Sequence, residues 1–185
     1  NKKYIATKHW YDNNAFKYAR KSSGLLHAQL KSFSSLIPKK GKILDIGSGV
    51  GQDTEYFAKK GYEAIGVDFS EGMVKYALKK RKSGKFLILD IIKIKNHFSD
   101  NDFDAIWISS VFTHLNNKDT LKVLKQIRGI IKKGGILGII ILKREKRNVT
   151  PRRDIYFNEY WKKEIVGLLK EGNFAIKNVS VFEKY

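Results

Sequence analysis

Acidic residues that directly follow apolar runs give this chain its most distinctive chemistry. An apolar run passes through Asp45 into a glycine-dense turn, and Asp68 follows 21 residues after the first glycine of that turn. A strand, a glycine turn, a helix and an acid-ended strand form the first βαβ unit of a nucleoside-binding domain. Glycines let the backbone turn tightly and approach a ligand closely. The three that do so here are Gly47, Gly49 and Gly51.

Charge and spacing predict which nucleoside this loop binds. A carboxylate at Asp45, where the chain leaves the strand, would repel a pyrophosphate and attract a cation. S-adenosylmethionine (SAM) is a cationic nucleoside, because it carries an ammonium and a sulfonium. A dinucleotide fingerprint, G-x-G-x-x-G, would place its third glycine at position 52, which is Gln52. The pattern therefore favours SAM over a dinucleotide.

Strands and helices that alternate along the chain must position these residues. Apolar runs predict strands over residues 42–46, 63–67, 85–90, 103–109, 136–142 and 174–181. Helical periodicity, capping residues and glycine stops predict helices over 9–21, 25–37, 52–60, 71–82, 119–131 and 157–171. This alternation predicts an α/β fold with a doubly wound, mostly parallel, Rossmann-like sheet. Ligands of such folds bind at the carboxyl edge of the sheet.

Length and composition favour one domain over residues 1–185. We expect a helical N-terminal lid over 1–41, a nucleoside-binding core over 42–142, and a substrate-cap segment, helix and final strand over 143–185. The chain has no Cys, and its acids and histidines are scattered, so no metal site is predicted. With no secretory signal and no apolar run near the ~18 residues of a membrane span, we expect a cytoplasmic protein without a membrane partner.

The formal net charge of +19 leaves two explanations open. Such a charge attracts nucleic acid in a salt-dependent manner. The basic residues are nevertheless 30 Lys and only seven Arg, spread along the whole chain. Lys has A/T-rich codons, and RNA-reading surfaces tend to use Arg for bidentate contacts. Composition bias is therefore favoured, and a nucleic-acid partner is the alternative.

Taken in order, the motifs resemble those of class I SAM-dependent methyltransferases. They include Tyr11-Asp12-x-x-Ala15-x-x-Tyr18-Ala19, Leu44-Asp45-x-Gly47-x-Gly49-x-Gly51, Gly66-Val67-Asp68-Phe69-Ser70-x-x-Met73, Leu89-Asp90, His114-Leu115 and Gly134-Gly135. The resemblance implies a Rossmann-like fold with an N-terminal helical lid, and SAM as cofactor with S-adenosylhomocysteine as product. The family sheet usually ends in a seventh, antiparallel strand. We expect this strand to be absent or truncated, because the chain reaches only a sixth.

The resemblance also implies roles for individual residues. Asp68 would accept hydrogen bonds from the ribose hydroxyls, and Asp90 from the adenine amino group. The Ser109 carbonyl would face the methionine ammonium. Tyr11 and Tyr18 are two helical turns apart, and either reach the methionine carboxylate or pack in the core. The predicted cofactor-binding set is Tyr11, Tyr18, Asp45, Gly47, Ser48, Gly49, Gly51, Asp68, Phe69, Ser70, Met73, Asp90, Ile91 and Ser109.

The acceptor side of the site gives fewer signals. His114 follows the fourth strand and could act as general base for a hydroxyl or amine, or could simply pack at the start of the next helix. Arg152, Arg153 and Tyr156 lie in the predicted cap segment and are the candidate substrate-binding residues, and the two arginines suggest an anionic acceptor. We predict a methyltransferase acting on a small-molecule O or N acceptor. An RNA methyltransferase and a non-catalytic SAM-binding protein are the alternatives. The oligomeric state is not predicted.

Overall fold

Five parallel strands form one sheet in the computed structural model, which describes residues 2–21, 27–141 and 158–180. The strands are β1 (Lys42–Ile46), β2 (Glu63–Asp68), β3 (Lys85–Ile88), β4 (Phe103–Ser109) and β5 (Ile131–Ile140). The helices are α1 (Lys2–Lys21), α2 (His27–Ser34), α3 (Gln52–Lys59), α4 (Glu71–Lys80), α5 (Asn117–Ile130) and α6 (Lys162–Glu171). Two 3₁₀ helices, Ile91–His97 and Phe112–His114, precede β4 and α5. No helix among these is long and apolar enough to cross a membrane.

The order of the strands creates a crevice at the carboxyl edge of the sheet. The order is β3-β2-β1-β4-β5, so β1 lies between β2 and β4. Leu44 of β1 is opposite Ile65 of β2 on one side and Ile106 of β4 on the other. The connections that leave β1 and β4 therefore diverge, which is the arrangement that opens a ligand crevice in doubly wound sheets. This confirms the predicted α/β, Rossmann-like parallel sheet.

Burial of the central strands accounts for their continuous apolar runs. Four of the five residues of β1 are buried, and Ile106 and Ile108 of β4 have no exposed surface. One face of helix α5 packs against these strands in the same buried core. This face carries Val123, Leu124, Ile127 and Ile130. A strand covered by helices on both sides of the sheet has no polar face to alternate with, so its sequence is apolar throughout.

The edge of the sheet at β5 differs from the prediction. Helix α5 ends at Ile130, and β5 begins at once at Ile131 instead of at residue 136. The predicted glycine turn is an irregularity within the strand, since Gly134 has a φ of 80° and the register shifts between Phe103 and Ala105. Glycine absorbs such a bulge because it tolerates positive φ.

The predicted sixth strand is wrong over residues 174–180, which contain no strand. Asn173 takes a φ of 62°, and the Phe174 amide donates to the Leu169 carbonyl to close α6. After this closure, residues 177–180 are exposed and pair with no described strand. Alternating apolar residues alone do not make a strand, because the backbone groups need a hydrogen-bonded partner.

Two isoleucines that differ in burial test the importance of the central core. We expect Ile106→Ala to lower the free energy of unfolding by about 2–5 kcal/mol, because it leaves a cavity where Ile106 is fully buried. Ile88→Ala, at a position 54% exposed, is the matched control and should cost far less. Urea unfolding followed by circular dichroism measures both, and equal losses would contradict this account of the core.

Candidate active site

A cavity with about 630 Å³ of empty space, part of it open to solvent, lies where α1 crosses the carboxyl edge of the sheet. It is bounded by the loops that follow β1, β2 and β4 and by side chains of α1. Ten residues predicted from the sequence line it, namely Tyr11, Tyr18, Gly47, Gly49, Asp68, Phe69, Met73, Ile91, Ser109 and His114. The predicted loops and the predicted lid thus meet around one space.

Asp68 connects two of the loops that bound the cavity. One carboxylate oxygen accepts from the Gly49 amide at 2.9 Å, and the other accepts from the Ser70 amide at 2.8 Å. Burial raises the pKa of Asp68 to about 6, although both amides act to lower it. A carboxylate has about four acceptor sites, so each oxygen can accept a further hydrogen bond from a ligand hydroxyl.

The glycine turn gives backbone access that a side chain would block. Gly47 has a φ of 71°, and a Cβ there would overlap Cγ2 of Val111, which follows β4. Gly49 has a φ of 52°, and a Cβ there would lie 3.8 Å from the Tyr18 ring. The loops after β1 and β4 can therefore approach each other only because position 47 carries no side chain.

Tyr4 belongs to the site and was missed by the sequence prediction. It lines the cavity with Tyr11 and Tyr18, and its hydroxyl donates to Oδ1 of Asp90 at 2.6 Å. Its ring lies 5.2 Å from that of Phe69, and burial raises its pKa, so the hydroxyl stays a donor. The three tyrosines are spaced by seven residues, or two helical turns. The same spacing in the sequence would have identified Tyr4 if the helix had been predicted to begin before residue 9.

His114 is held by a residue of α1 and, through its neighbours Thr113 and Leu115, by residues that precede α6. Its Nε2 and the Tyr11 hydroxyl share a hydrogen bond of 2.9 Å, whose donor depends on the tautomer of the ring. Asn158 donates its backbone amide to the Thr113 carbonyl and its side-chain amide to the Leu115 carbonyl. Tyr160, which is buried, donates its hydroxyl to the Leu115 carbonyl at 3.0 Å. The imidazole is therefore positioned on the cavity wall.

Asp45 does not take the place that the charge argument predicted. It is 2% exposed and outside the cavity lining, and its carboxylate accepts from the Thr54 hydroxyl at 2.6 Å. Burial, and then the nearby charge of Asp53, raise its pKa well above the ordinary value. The carboxyl is instead held by Thr54 in the first turn of α3. It does not present a charge to the cavity.

Four other predicted residues lie beside the cavity and do not line it. Ser48 packs against Gly66 of β2, and Gly51, at a φ of 80°, packs against the Phe86 ring. Ser70 is the N-cap of α4, and Asp90 is the N-cap of the following 3₁₀ helix. Each contributes to the shape of a loop, and Asp90 reaches the cavity wall through Tyr4. The predicted acceptor residues Arg152, Arg153 and Tyr156 lie outside the described residues.

Comparison with known proteins assigns this arrangement to a family. Residues 44–139, just over half of the chain, match the family model described as a methyltransferase domain. The chain belongs to this family. Its predicted membership of the class I SAM-dependent methyltransferases is confirmed, and its cofactor is SAM.

Individual relatives agree with this assignment. The putative methyltransferase YqeM of Bacillus subtilis is 34% identical over 112 residues, covering 58% of this chain and 44% of that protein. A demethylmenaquinone methyltransferase of Renibacterium salmoninarum is 30% identical over 115 residues, covering 62% of this chain and 46% of that protein. The chain thus spans a little under half the length of these two relatives.

A solved structure shows the same fold. A SAM-dependent methyltransferase of Aquifex aeolicus aligns with a TM-score of 0.68 over 88% of this chain and 89% of that chain, at 23% identity. At this level of identity the fold is shared, and the roles of single residues have to be argued from the local geometry.

The raised pKa of Asp68 makes cofactor affinity depend on pH. If its carboxylate accepts the ribose hydroxyls, a proton on Asp68 competes with SAM. With a pKa of about 6, SAM should bind about tenfold more weakly at pH 5 than at pH 7. Isothermal titration calorimetry measures this change.

Acid unfolding through Asp68 is not a competing explanation. A pKa raised above the unfolded value stabilises the fold at low pH, and that contribution is lost as pH rises through about 6. Asp68→Asn, which cannot ionise, should bind weakly and without this pH dependence. Equal affinity of the unaltered protein at both pH values would exclude the proposed ribose contact.

Proposed function

We propose that this methyltransferase transfers the methyl group of SAM to a hydroxyl or amine of a small molecule. The observation that supports this most directly is the placement of α1 across the sheet edge. Tyr4, Tyr11 and Tyr18 close one side of the cavity, and Phe69 and Met73 add apolar lining. A concave, mostly apolar site with a few polar groups is typical of small-molecule binding.

The chain's own residues would hold and align the reactants. When bound, SAM supplies an electrophilic methyl group on a sulfonium. Asp68 would accept the ribose hydroxyls, and Phe69 and Met73 would give apolar contacts to the adenosine. The backbone of the glycine loop and the Ser109 carbonyl would bound the methionine part. Alignment of nucleophile and methyl group can contribute roughly 7–11 kcal/mol, so the site needs few catalytic side chains.

Tyr11 and His114 would remove the proton of the acceptor. Both line the cavity, and their 2.9 Å hydrogen bond joins a hydroxyl to an imidazole. A histidine has its ordinary pKa near neutrality and suits a general base. Such a pair serves a hydroxyl, which gives up its proton as its oxygen attacks the methyl group, or an amine, whose nitrogen must be unprotonated to attack.

The name of one relative supports a small acceptor. The relative from Renibacterium salmoninarum is named for demethylmenaquinone, a small molecule. Because this chain spans 46% of that protein, the comparison supports the class of acceptor and not its identity. Of the predicted substrate-binding residues Arg152, Arg153 and Tyr156, the two arginines would favour an anionic group on the acceptor.

RNA is the alternative acceptor, and the net charge of +19 is the observation that favours it. Part of this charge is neutralised locally among the described residues, as where Lys42 pairs with Asp102 at 2.7 Å and Lys132 with Asp104 at 2.7 Å. These pairs lie at the amino edge of the sheet, away from the cavity.

Binding and turnover together test the proposed function. We expect SAM and S-adenosylhomocysteine to bind in calorimetry. We also expect label from radiolabelled SAM to be transferred to one or more members of a panel of metabolites, chosen to include carboxylic acids that carry a hydroxyl or an amine. Bulk RNA at physiological salt is the comparison. Label transferred to RNA alone would favour the alternative, and binding without any transfer would favour a non-catalytic role.

Substitution of His114 tests the proposed base. We expect His114→Ala to lower kcat by about 10²–10⁴, the usual contribution of a general base, while the Kd for SAM changes little. Tyr11→Phe should lower kcat less, since the imidazole stays in place. His97→Ala, at an exposed histidine, is the matched control. An unchanged kcat in His114→Ala would remove the base from the mechanism.

A further inference from the structure

Helix α1 is fastened to the start of α4 by a carboxylate. Oδ1 of Asp12 accepts from the Ser70 hydroxyl at 2.8 Å and from the Gly72 amide at 3.2 Å. Ser70 is also the N-cap of α4, where its hydroxyl oxygen accepts from the Met73 amide. The first amides of a helix lack intrahelical acceptors and attract negative charge. An acid from one helix thus completes the cap of another.

The contact between the two helices leaves no space for a side chain at Gly72. A Cβ at this position would overlap the backbone carbonyl of Asp12. Glycine inside a helix costs about 1 kcal/mol relative to alanine, and here close approach of α1 requires it. The backbone of α1 is therefore seated directly on the first turn of α4.

Charge around Asp12 keeps this acid ionised. Lys8, one helical turn earlier in α1, donates to Oδ2 at 2.8 Å. Partial burial acts to raise the pKa of Asp12, but the hydrogen bonds from Lys8 and Ser70 outweigh it and the pKa lies below its ordinary value. At neutral pH the carboxylate is available to both donors of α4.

The same hydrogen bonds continue from α1 into the cofactor loop. The Ser70 amide donates to Asp68, and Asp68 in turn accepts from the Gly49 amide. Asp12, Ser70, Asp68 and the glycine turn are thus joined in one chain of contacts. The residue next to Asp12, Tyr11, is the one that meets His114.

We propose that Asp12 is a positioning residue that couples the docking of α1 to the binding of SAM. Its carboxylate fixes Ser70, and Ser70 orients the carboxylate of Asp68 toward the cavity. Coupling of this kind is reciprocal, so bound SAM must stabilise the docked α1 to the same extent that docked α1 strengthens SAM binding. The inference rests on the proposed contact of Asp68 with SAM and is independent of the acceptor.

Three variants in α1 separate this role from a general loss of stability. Asp12→Ala removes both acceptors and should raise the Kd for SAM on the order of tenfold, as expected for the loss of a charge-assisted hydrogen bond. Asp12→Asn keeps an oxygen for Ser70 and Gly72 and should stay within about threefold of the unaltered protein. Asn13→Ala, at the exposed neighbouring position, should have no effect.

Hydrogen exchange distinguishes this coupling from a purely structural role of Asp12, because it measures how SAM binding changes the protection of α1. In the unaltered protein, SAM should slow amide exchange in residues 2–21, and in Asp12→Ala this protection should be lost. Calorimetry and exchange are measured on the same samples. Retention of the SAM-induced protection in Asp12→Ala, or an unchanged Kd, would overturn the proposal.

Gly72→Ala provides a second, independent perturbation. It leaves Asp12 in place, favours the helical state of α4, and removes the space that α1 occupies. We expect the same loss of SAM affinity and of protection, and an unaffected Gly72→Ala protein would also overturn the proposal. If the unaltered protein fails to bind SAM, the proposed function fails. If it binds and these variants bind equally well, only the coupling fails.

Discussion

The carboxylate of Asp68 joins the two loops on which the cavity depends. It ends β2, and its two oxygens accept the amides of Gly49 and Ser70, which belong to different loops. The Gly47 and Ser48 amides also donate to the Val67 carbonyl, so the glycine turn is joined to the end of β2 by backbone and side-chain bonds together. The link requires a buried acid, and burial raises its pKa to about 6. Because a carboxylate has about four acceptor sites, Asp68 can keep both amides and still accept the hydroxyls of a ligand.

Helix α1 completes the cavity with three tyrosines, Tyr4, Tyr11 and Tyr18. The tyrosine rings form an apolar wall, and their hydroxyls reach different polar groups, since Tyr4 meets Asp90 and Tyr11 meets His114. A tyrosine suits this position because its body is apolar and its tip is polar. The helix thus covers the site from the side of Asp90 to the side of His114 with a single face. Its attachment through Asp12 decides how accurately that face is placed.

Local patterns predicted the parts of the fold that depend on neighbours in the sequence. The central strands, the glycine turn and Asp68 follow from apolar runs and strand ends, and the structure brings them together at one sheet edge. The contacts of Asp12, Tyr4 and Tyr160 join residues 45 to 86 positions apart, and no periodicity reports them. The charge argument from Asp45 led to the correct cofactor, although the Asp45 side chain faces α3 and not the cavity. The position of a residue at a strand end does not determine which way its side chain points.

The two ends of the cavity differ in what determines their shape. The side at Asp68 is built from loops one to three residues beyond paired strands, so the sheet register fixes it. The side at His114 is built from the short 3₁₀ helix Phe112–His114, preceded by Ser110 at a φ of 61°. This helix is held by Asn158 and Tyr160, more than 40 residues later in the chain. Substitutions in that later segment can reshape the His114 side without touching the loop at Asp68. The motifs therefore identify the cofactor of this chain more directly than its acceptor, because the His114 side, where we propose that the acceptor binds, is shaped by long-range packing.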